Sequence, residues 1–167
     1  MAHASKVLGS VVEAIGGTPV VELSRSTAGF EGRILAKLEY LNPGLSKKDR
    51  IARQIIEDAE ADGSLAPGAG HVSGADLDLV DRRAAELTVE RRAFRADQFR
   101  SAGNMRAHLL HTGPEFLAQA QDGIDAFCEF VGSAGTFAGC AAAFKAHDPS
   151  IRCYVVEPVG AAVLAGG

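Results

Sequence analysis

The chain has 167 residues, of which 47% are hydrophobic and 23% charged, and a formal net charge of −4. That hydrophobic share excludes a disordered chain, and one domain of this length buries about 70% of its unfolded surface. The negative balance argues against a general nucleic-acid binder, and no apolar run reaches the length of a membrane span.

From the N-terminus, "MAHASKVLGSVVEAIGG" contains Glu13 and lacks the apolar centre of a signal peptide, so a cytoplasmic protein is expected. The spacing predicts a short amphipathic segment near residues 5–14, a turn at "GGTP", and two strands, "VVELS" and "RILAKLEY", flanking the loop "RSTAGFEG" as a β-hairpin-like start. The next block, "NPGLSKKDRIARQIIEDAE", predicts a helix from near Lys47 to Asp62-Gly63. Ser46 is its cap, Asp49 closes a capping box, and Ile51, Ile55, Ile56 and Ala59 form one apolar face. Two lysines at the positive end of the helix dipole break a local rule worth about 0.3–1 kcal/mol. On the residues alone they are either solvated side chains reaching outward or, because the same dipole favours a neutral amine, a lysine set up for Schiff-base chemistry.

Residues 71–104 are the least patterned third. A charged helix, "LDLVDRRAAELTVERR", is expected, and the arginine-rich stretch Arg82 to Arg106 reads as a solvated helix face. Order returns at "TGPEFLAQAQ", a helix start with Pro114 and Glu115 in its first turn. Then come an apolar strand "DGIDAFCEFV", a glycine-rich turn feeding an alanine-rich helix, and a buried strand "IRCYVVEP". Strand, helix, strand is a βαβ unit with a right-handed crossover, hence a parallel sheet and an α/β fold. Cys128, Cys140 and Cys153 are odd in number and widely spaced, which suggests neither a disulfide framework nor a zinc site and fits a reducing compartment.

The turn "VGSAGTFAG" leads from a strand into a helix N-terminus, where free amides and the dipole favour an anion. It matches neither the dinucleotide fingerprint nor the nucleotide P-loop, and taken alone it is equally a tight turn using glycine for packing. Ser133 and Thr136 add hydroxyl donors. A Schiff-base lysine together with a phosphate cradle is what pyridoxal phosphate requires.

The blocks "IGGTPVVEL", "RILAKLEYLNPGLSKKDRIARQIIEDAE", "NMRAHLLHTGPEF", "IDAFCEFVGSAGTFAG" and "IRCYVVEP" resemble, in order, those of the cysteine synthase family of fold type II pyridoxal-phosphate enzymes. The resemblance implies that Lys48, and not Lys47, bonds the cofactor and then removes the substrate α-proton. It places the cofactor phosphate on Gly132, Ser133, Ala134, Gly135 and Thr136, and a substrate-carboxylate glutamine at Gln98, which otherwise reads as an ordinary polar residue before a strand. Ala134 stands where the family has glycine, which is harmless only at negative φ. Of the family's carboxylate-binding loop only "HVSGAD" remains, with Ser73 and Gly74 as its remnant and Ala75 near the asparagine position.

The implied organisation is a lysine-bearing segment at 1–70, a linker at 71–104 replacing most of a small mobile domain, and a βαβ core at 105–167. The fold is thus an incomplete fold type II core, and the family would continue past Gly167 with further strands and a serine for the pyridine nitrogen. The implied activity is β-replacement on an activated serine, O-acetylserine or O-phosphoserine, by a cytoplasmic homodimer with an amino-acid substrate. The alternative is a non-catalytic remnant serving as a binding or scaffold protein.

Overall fold

A computed structural model describes residues 7–65 and 77–158, together with Leu164. At the start, Ser10 accepts a hydrogen bond from the Val12 amide and caps a 3-10 turn, Val11–Ala14. The amphipathic segment expected at 5–14 is therefore only this turn, with Val7 and Val11 exposed because no neighbour covers them. The hairpin is present but short. Strand β1, Val20–Glu22, pairs antiparallel with β2, Leu35–Lys37, in the register Val21 to Ala36.

Helix α1, Lys48–Ala61, ends at Asp62 with Gly63 at φ 78° in the left-handed region, as the sequence predicts. Its apolar face, Ile51, Ile55 and Ala59, is buried, with Ile51 and Ile55 packed on Ala107 and Phe94. Each buried isoleucine contributes about 1.5–3 kcal/mol. The capping box is corrected: Ser46 Oγ accepts from the Lys48 amide at 3.2 Å, but the Asp49 carboxylate reaches back to the Gly44 amide instead of to Ser46. The charged helix is α2, Leu77–Arg91.

The helix expected to begin at Thr112 begins ten residues earlier. Helix α3, Ala102–Ala107, with Ser101 as its N-cap, runs through one π turn, His108–Thr112, into α4, Gly113–Gln119. Pro114 explains both the misplaced start and the π turn. Proline has no N–H for an ordinary helical bond, so it resembles a first-turn residue, and inside a helix it is accommodated by a bulge in which the Gly113 amide reaches the His108 carbonyl.

The βαβ unit holds as read: β3, Ala126–Phe130, and β4, Arg152–Val156, are parallel and adjacent, joined by α5, Gly135–His147. Phe127 and Phe116 meet the fully buried Phe144 edge-on at centroid distances of 5.0 and 6.0 Å, above Cys140 and Ile151. The expectation of a buried last strand is corrected. Tyr154 and Val156 are exposed on the face away from Phe127 and α5, which no described element covers, and Val155 on the other face is exposed as well. Among the described residues the strands form two separate two-stranded sheets.

A buried ionic cluster ties these parts together. Arg50, 3% exposed, gives Nε and Nη2 to the Glu39 carboxylate at 2.7 and 2.9 Å and Nη1 and Nη2 to Glu115 at 2.7 and 2.8 Å. Lys37 Nζ donates to Glu115 (2.9 Å), the Thr18 carbonyl (2.9 Å) and Gln119 (2.7 Å), and Glu115 also accepts from the Gly17 amide. Burial opposes the Glu115 charge, but the bonds from Arg50, Gly17 and Lys37 outweigh it and bring the carboxyl down to about 2.

Replacing Arg50 by methionine leaves two half-buried carboxylates without their guanidinium, and urea melts at pH 7 are expected to show a loss of about 3–5 kcal/mol. Arg50→Lys restores little of it, because one ammonium does not replace a fork with five bonds, four to the carboxylates and one to Thr18 Oγ1. In the wild type, the stabilisation from Glu115 is complete above its unfolded pKa near 4.5 and disappears as pH falls through about 2. The deficit of the Arg50→Met variant therefore narrows across that acid window.

Candidate active site

The segment Asn42–Lys47 delivers both lysines. Asn42, 1% exposed, accepts from the Gly16 amide through Oδ1 and donates through Nδ2 to the Glu39 carbonyl, fixing the turn. Leu45 follows at φ 59°, a left-handed conformation that suits glycine and strains leucine. Successive helical positions point about 100° apart, so Lys47 and Lys48 diverge. Lys47 forms an ion pair with Glu129 on β3, whose carboxylate compensates the ammonium that the helix start disfavours. Lys48 is exposed and donates from Nζ to Gln98 Oε1 at 3.1 Å.

Gln98 faces the other half of the site through its main chain. Its carbonyl accepts from Asn104 Nδ2 at 2.8 Å, and the same nitrogen donates to Ser133 Oγ at 2.8 Å. Lys48, Gln98 and Ser133, far apart in sequence, thus lie on one hydrogen-bonded path. Across the turn, Gly132 is exposed over open space and Gly135 is buried against the Asn104 amide. Thr136 Oγ1 lies 3.2 Å from His108 Nε2. The condition for a harmless Ala134 is not met: it sits at φ 62°, in the left-handed region, just before α5. Helix α5 has 13 residues, and its first amides have no partner inside the helix. Ser73 and Gly74 lie outside the described residues.

Sequence reading passed over the polar residues behind this turn. Asn104, His108 and Thr112 are 3%, 0% and 2% exposed and recur every four residues. That spacing was the available signal, hidden because polar residues at helical spacing ordinarily face solvent. Burial, with the Lys47 charge nearby, pushes the His108 imidazole down to about 4, so the ring is neutral near pH 7.

Beside the turn, a cavity of about 790 Å³ separates the two sheets. Its walls include Leu35 and Lys37 on one side and Phe127 and Glu129 on the other, with Thr136 and Phe144 at its base. No described helix is long and apolar enough to cross a membrane.

The pyridoxal-phosphate dependent enzyme family matches residues 11–75 and 65–167 of this chain. Cysteine synthase 3 of Caenorhabditis elegans is 32% identical, over 92% of this chain and 61% of that protein. Cysteine synthase of Staphylococcus aureus is 32% identical, over 98% of this chain and 69% of that protein. The latter alignment runs over 214 residues, more than the 167 present here, so the relative carries residues within the matched region that this chain lacks. Among solved structures, O-ureido-L-serine synthase superposes with a TM-score of 0.89 at 27% identity, over 96% of this chain and 66% of that one. O-acetylserine sulfhydrylase isoform 3 of Entamoeba histolytica superposes with a TM-score of 0.87 at 25% identity, over 98% of this chain and 65% of that one. The chain therefore spans about two thirds of the length of these relatives.

Ala134→Gly and Leu45→Gly each relieve a left-handed non-glycine residue. Each is expected to raise stability by about 1 kcal/mol, an increase of about 2–4 °C in melting midpoint for a domain of this size. Differential scanning calorimetry checks both.

Proposed function

The chain belongs to the pyridoxal-phosphate dependent enzymes, in the cysteine synthase family of fold type II, and from that premise we propose that Lys48, Gln98 and the turn Gly132–Thr136 form its cofactor and substrate site. The observation that carries the reading is the path from Lys48 Nζ through Gln98 and Asn104 to Ser133, which joins a helix-start lysine to a hydroxyl-bearing helix-start turn. The residues fit the cofactor: the turn presents unpaired amides and two hydroxyls for a phosphate, and the Lys48 amine is exposed nearby.

Pyridoxal phosphate, when bound, supplies an aldehyde that captures an amine and a conjugated ring that takes up the electron pair of a carbanion. Every other task falls to the chain. Lys48 would be the residue that holds the cofactor aldehyde, and its Nζ, when free, would accept the proton from the substrate Cα. The Gln98 amide holds the substrate carboxylate, and Ser73 and Gly74 are assigned to the same carboxylate. Gly132, Ser133, Ala134, Gly135 and Thr136 hold the phosphate through main-chain amides and hydroxyls. The reaction is β-replacement on an activated serine, O-acetylserine or O-phosphoserine, giving cysteine or a related amino acid, in the cytoplasm.

A second reading, a binding or scaffold protein without turnover, is favoured by the residues that the aligned relative has and this chain lacks. Turnover needs a held carboxylate and an electron pair sheltered from water as well as a lysine. Losing orientation or shelter each costs several kcal/mol of barrier, and each 1.36 kcal/mol is about tenfold in rate. Turnover in the isolated chain is therefore assigned as weak. The exposed Phe130, Tyr154 and Val156 share one face of the parallel pair and form an apolar strip suited to a homodimer contact.

Borohydride reduction with pyridoxal phosphate, followed by peptide mapping, is expected to label Lys48. Lys47→Ala retains the yellow absorbance of the cofactor, and Lys48→Ala loses it. Label on Lys37 or Lys47 overturns the assignment. Assays with O-acetylserine and sulfide separate the two readings: slow turnover abolished by Lys48→Ala supports an enzyme, and cofactor binding without turnover supports the binding protein.

A further inference from the structure

The turn before α5 is backed by two buried side chains, Asn104, which links Gln98 to Ser133, and His108, and neither has been given a role of its own toward the cofactor. Asn104 and His108 stand four residues apart on the helix formed by α3 and its π turn, and both meet the turn. A buried polar side chain is costly unless its hydrogen bonds are made, so the direction of each bond carries information. Helix α5 admits this close backing through two glycines. A Cβ on Gly135 would collide with the Asn104 amide, and one on Gly139 would come within 2.7 Å of His108 Cβ.

The Asn104 donors follow from its partners, and the His108 tautomer is part of the proposal. A main-chain carbonyl only accepts, so the Asn104 atom facing the Gln98 carbonyl is its nitrogen. That nitrogen has two hydrogens, one for Gln98 and one for Ser133 Oγ. The Ser133 hydroxyl accepts from behind, and its own proton is left for the open side of the turn. This orientation leaves Asn104 Oδ1 buried without a partner, as expected of a side chain held in place for its donor. His108 has the same geometry toward Thr136. Its neutral ring carries one N–H, and Thr112 Oγ1 lies 2.9 Å from Nδ1. With Thr112 donating to Nδ1, the ring proton sits on Nε2 and is given to Thr136 Oγ1, freeing that hydroxyl proton as well.

We propose that Asn104 and His108 are positioning residues that donate to Ser133 and Thr136 and thereby turn both hydroxyl protons toward a phosphate group seated at the start of α5. The inference rests on the reading that this turn holds the cofactor phosphate. Neither residue touches the cofactor; each acts through a hydroxyl, so the effect is confined to the phosphate end.

The test compares pyridoxal phosphate with pyridoxal, which keeps the aldehyde and lacks the phosphate, in equilibrium absorbance titrations of the full chain. Asn104→Leu and His108→Phe are expected to weaken pyridoxal phosphate about tenfold or more while changing pyridoxal less than twofold, since hydrogen bonds to charged groups are the strong ones. His108→Gln, whose amide N–H reaches toward the Nε2 position, recovers most of the loss. Equal weakening of both ligands, or no weakening, overturns the proposal. A wild type that binds the two ligands equally overturns the phosphate reading itself, and this inference with it. Nitrogen-15 NMR of the wild-type imidazole stands apart from any variant's folding: the Nε2–H tautomer is required, and Nδ1–H refutes it.

Discussion

Everything near the site is held by one guanidinium. Arg50 leaves the first turn of α1 and is clasped by Glu39 from the turn after β2 and by Glu115 from the first turn of α4. Thr18 completes the clasp: its hydroxyl donates to Glu39 Oε1 at 2.6 Å, and its carbonyl accepts from Lys37 and Gln119. Removing a charge from water costs several kcal/mol, and that cost is offset only when every donor of the fork finds an acceptor. The cluster is therefore intolerant of small displacements. The hairpin, the Asn42 turn, α1 and α4 must all reach their places for any part of it to be satisfied. Lys48 is two residues from Arg50, so the same constraint that buries the guanidinium aims the neighbouring ammonium out toward Gln98.

This cluster is also where sequence reading has least purchase. Helices α1, α2 and α5, the short hairpin and the parallel pair were legible because each rests on a local period or a turn signal, such as Ile51, Ile55 and Ala59 or the glycines before α5. A buried arginine with two glutamates leaves no period at all. Arg50 and Glu39 carry no signal of their own and Glu115 reads only as a first-turn residue of a helix, so only the fold brings them together. Pro114 misled for a related reason. Its missing N–H marks a helix start in most contexts, whereas here a π turn absorbs it in the middle of a longer helix. The family blocks placed Lys48 and Gly132–Thr136 without explaining why residues between them, Asn104 and His108, are buried.

The surroundings of the two lysines show how position decides chemistry between neighbours in sequence. Lys47 is satisfied by Glu129, an ion pair that reaches from α1 to β3 across the cavity they both line. Among the described residues, the partner of Lys48 is a neutral amide, that of Gln98. The rule broken by two cations at a helix start is thus resolved unequally: Glu129 compensates one, and the other is left available.

The two sheets allow binding and turnover to be separated physically. A phosphate needs only the start of α5 and its hydroxyls, all on one helix–turn unit backed by α3, and this unit shares a core with β3 through Phe127 and Phe144. Chemistry on an amino acid demands more, because a developing electron pair is quenched by water unless the site is covered. Here no described element covers the sheet face opposite α5, and a cavity parts β2 from β3. Recognition of the phosphate end is local and tolerates that openness. Proton removal at a carbon is more demanding, because it also requires that water be kept from the developing electron pair.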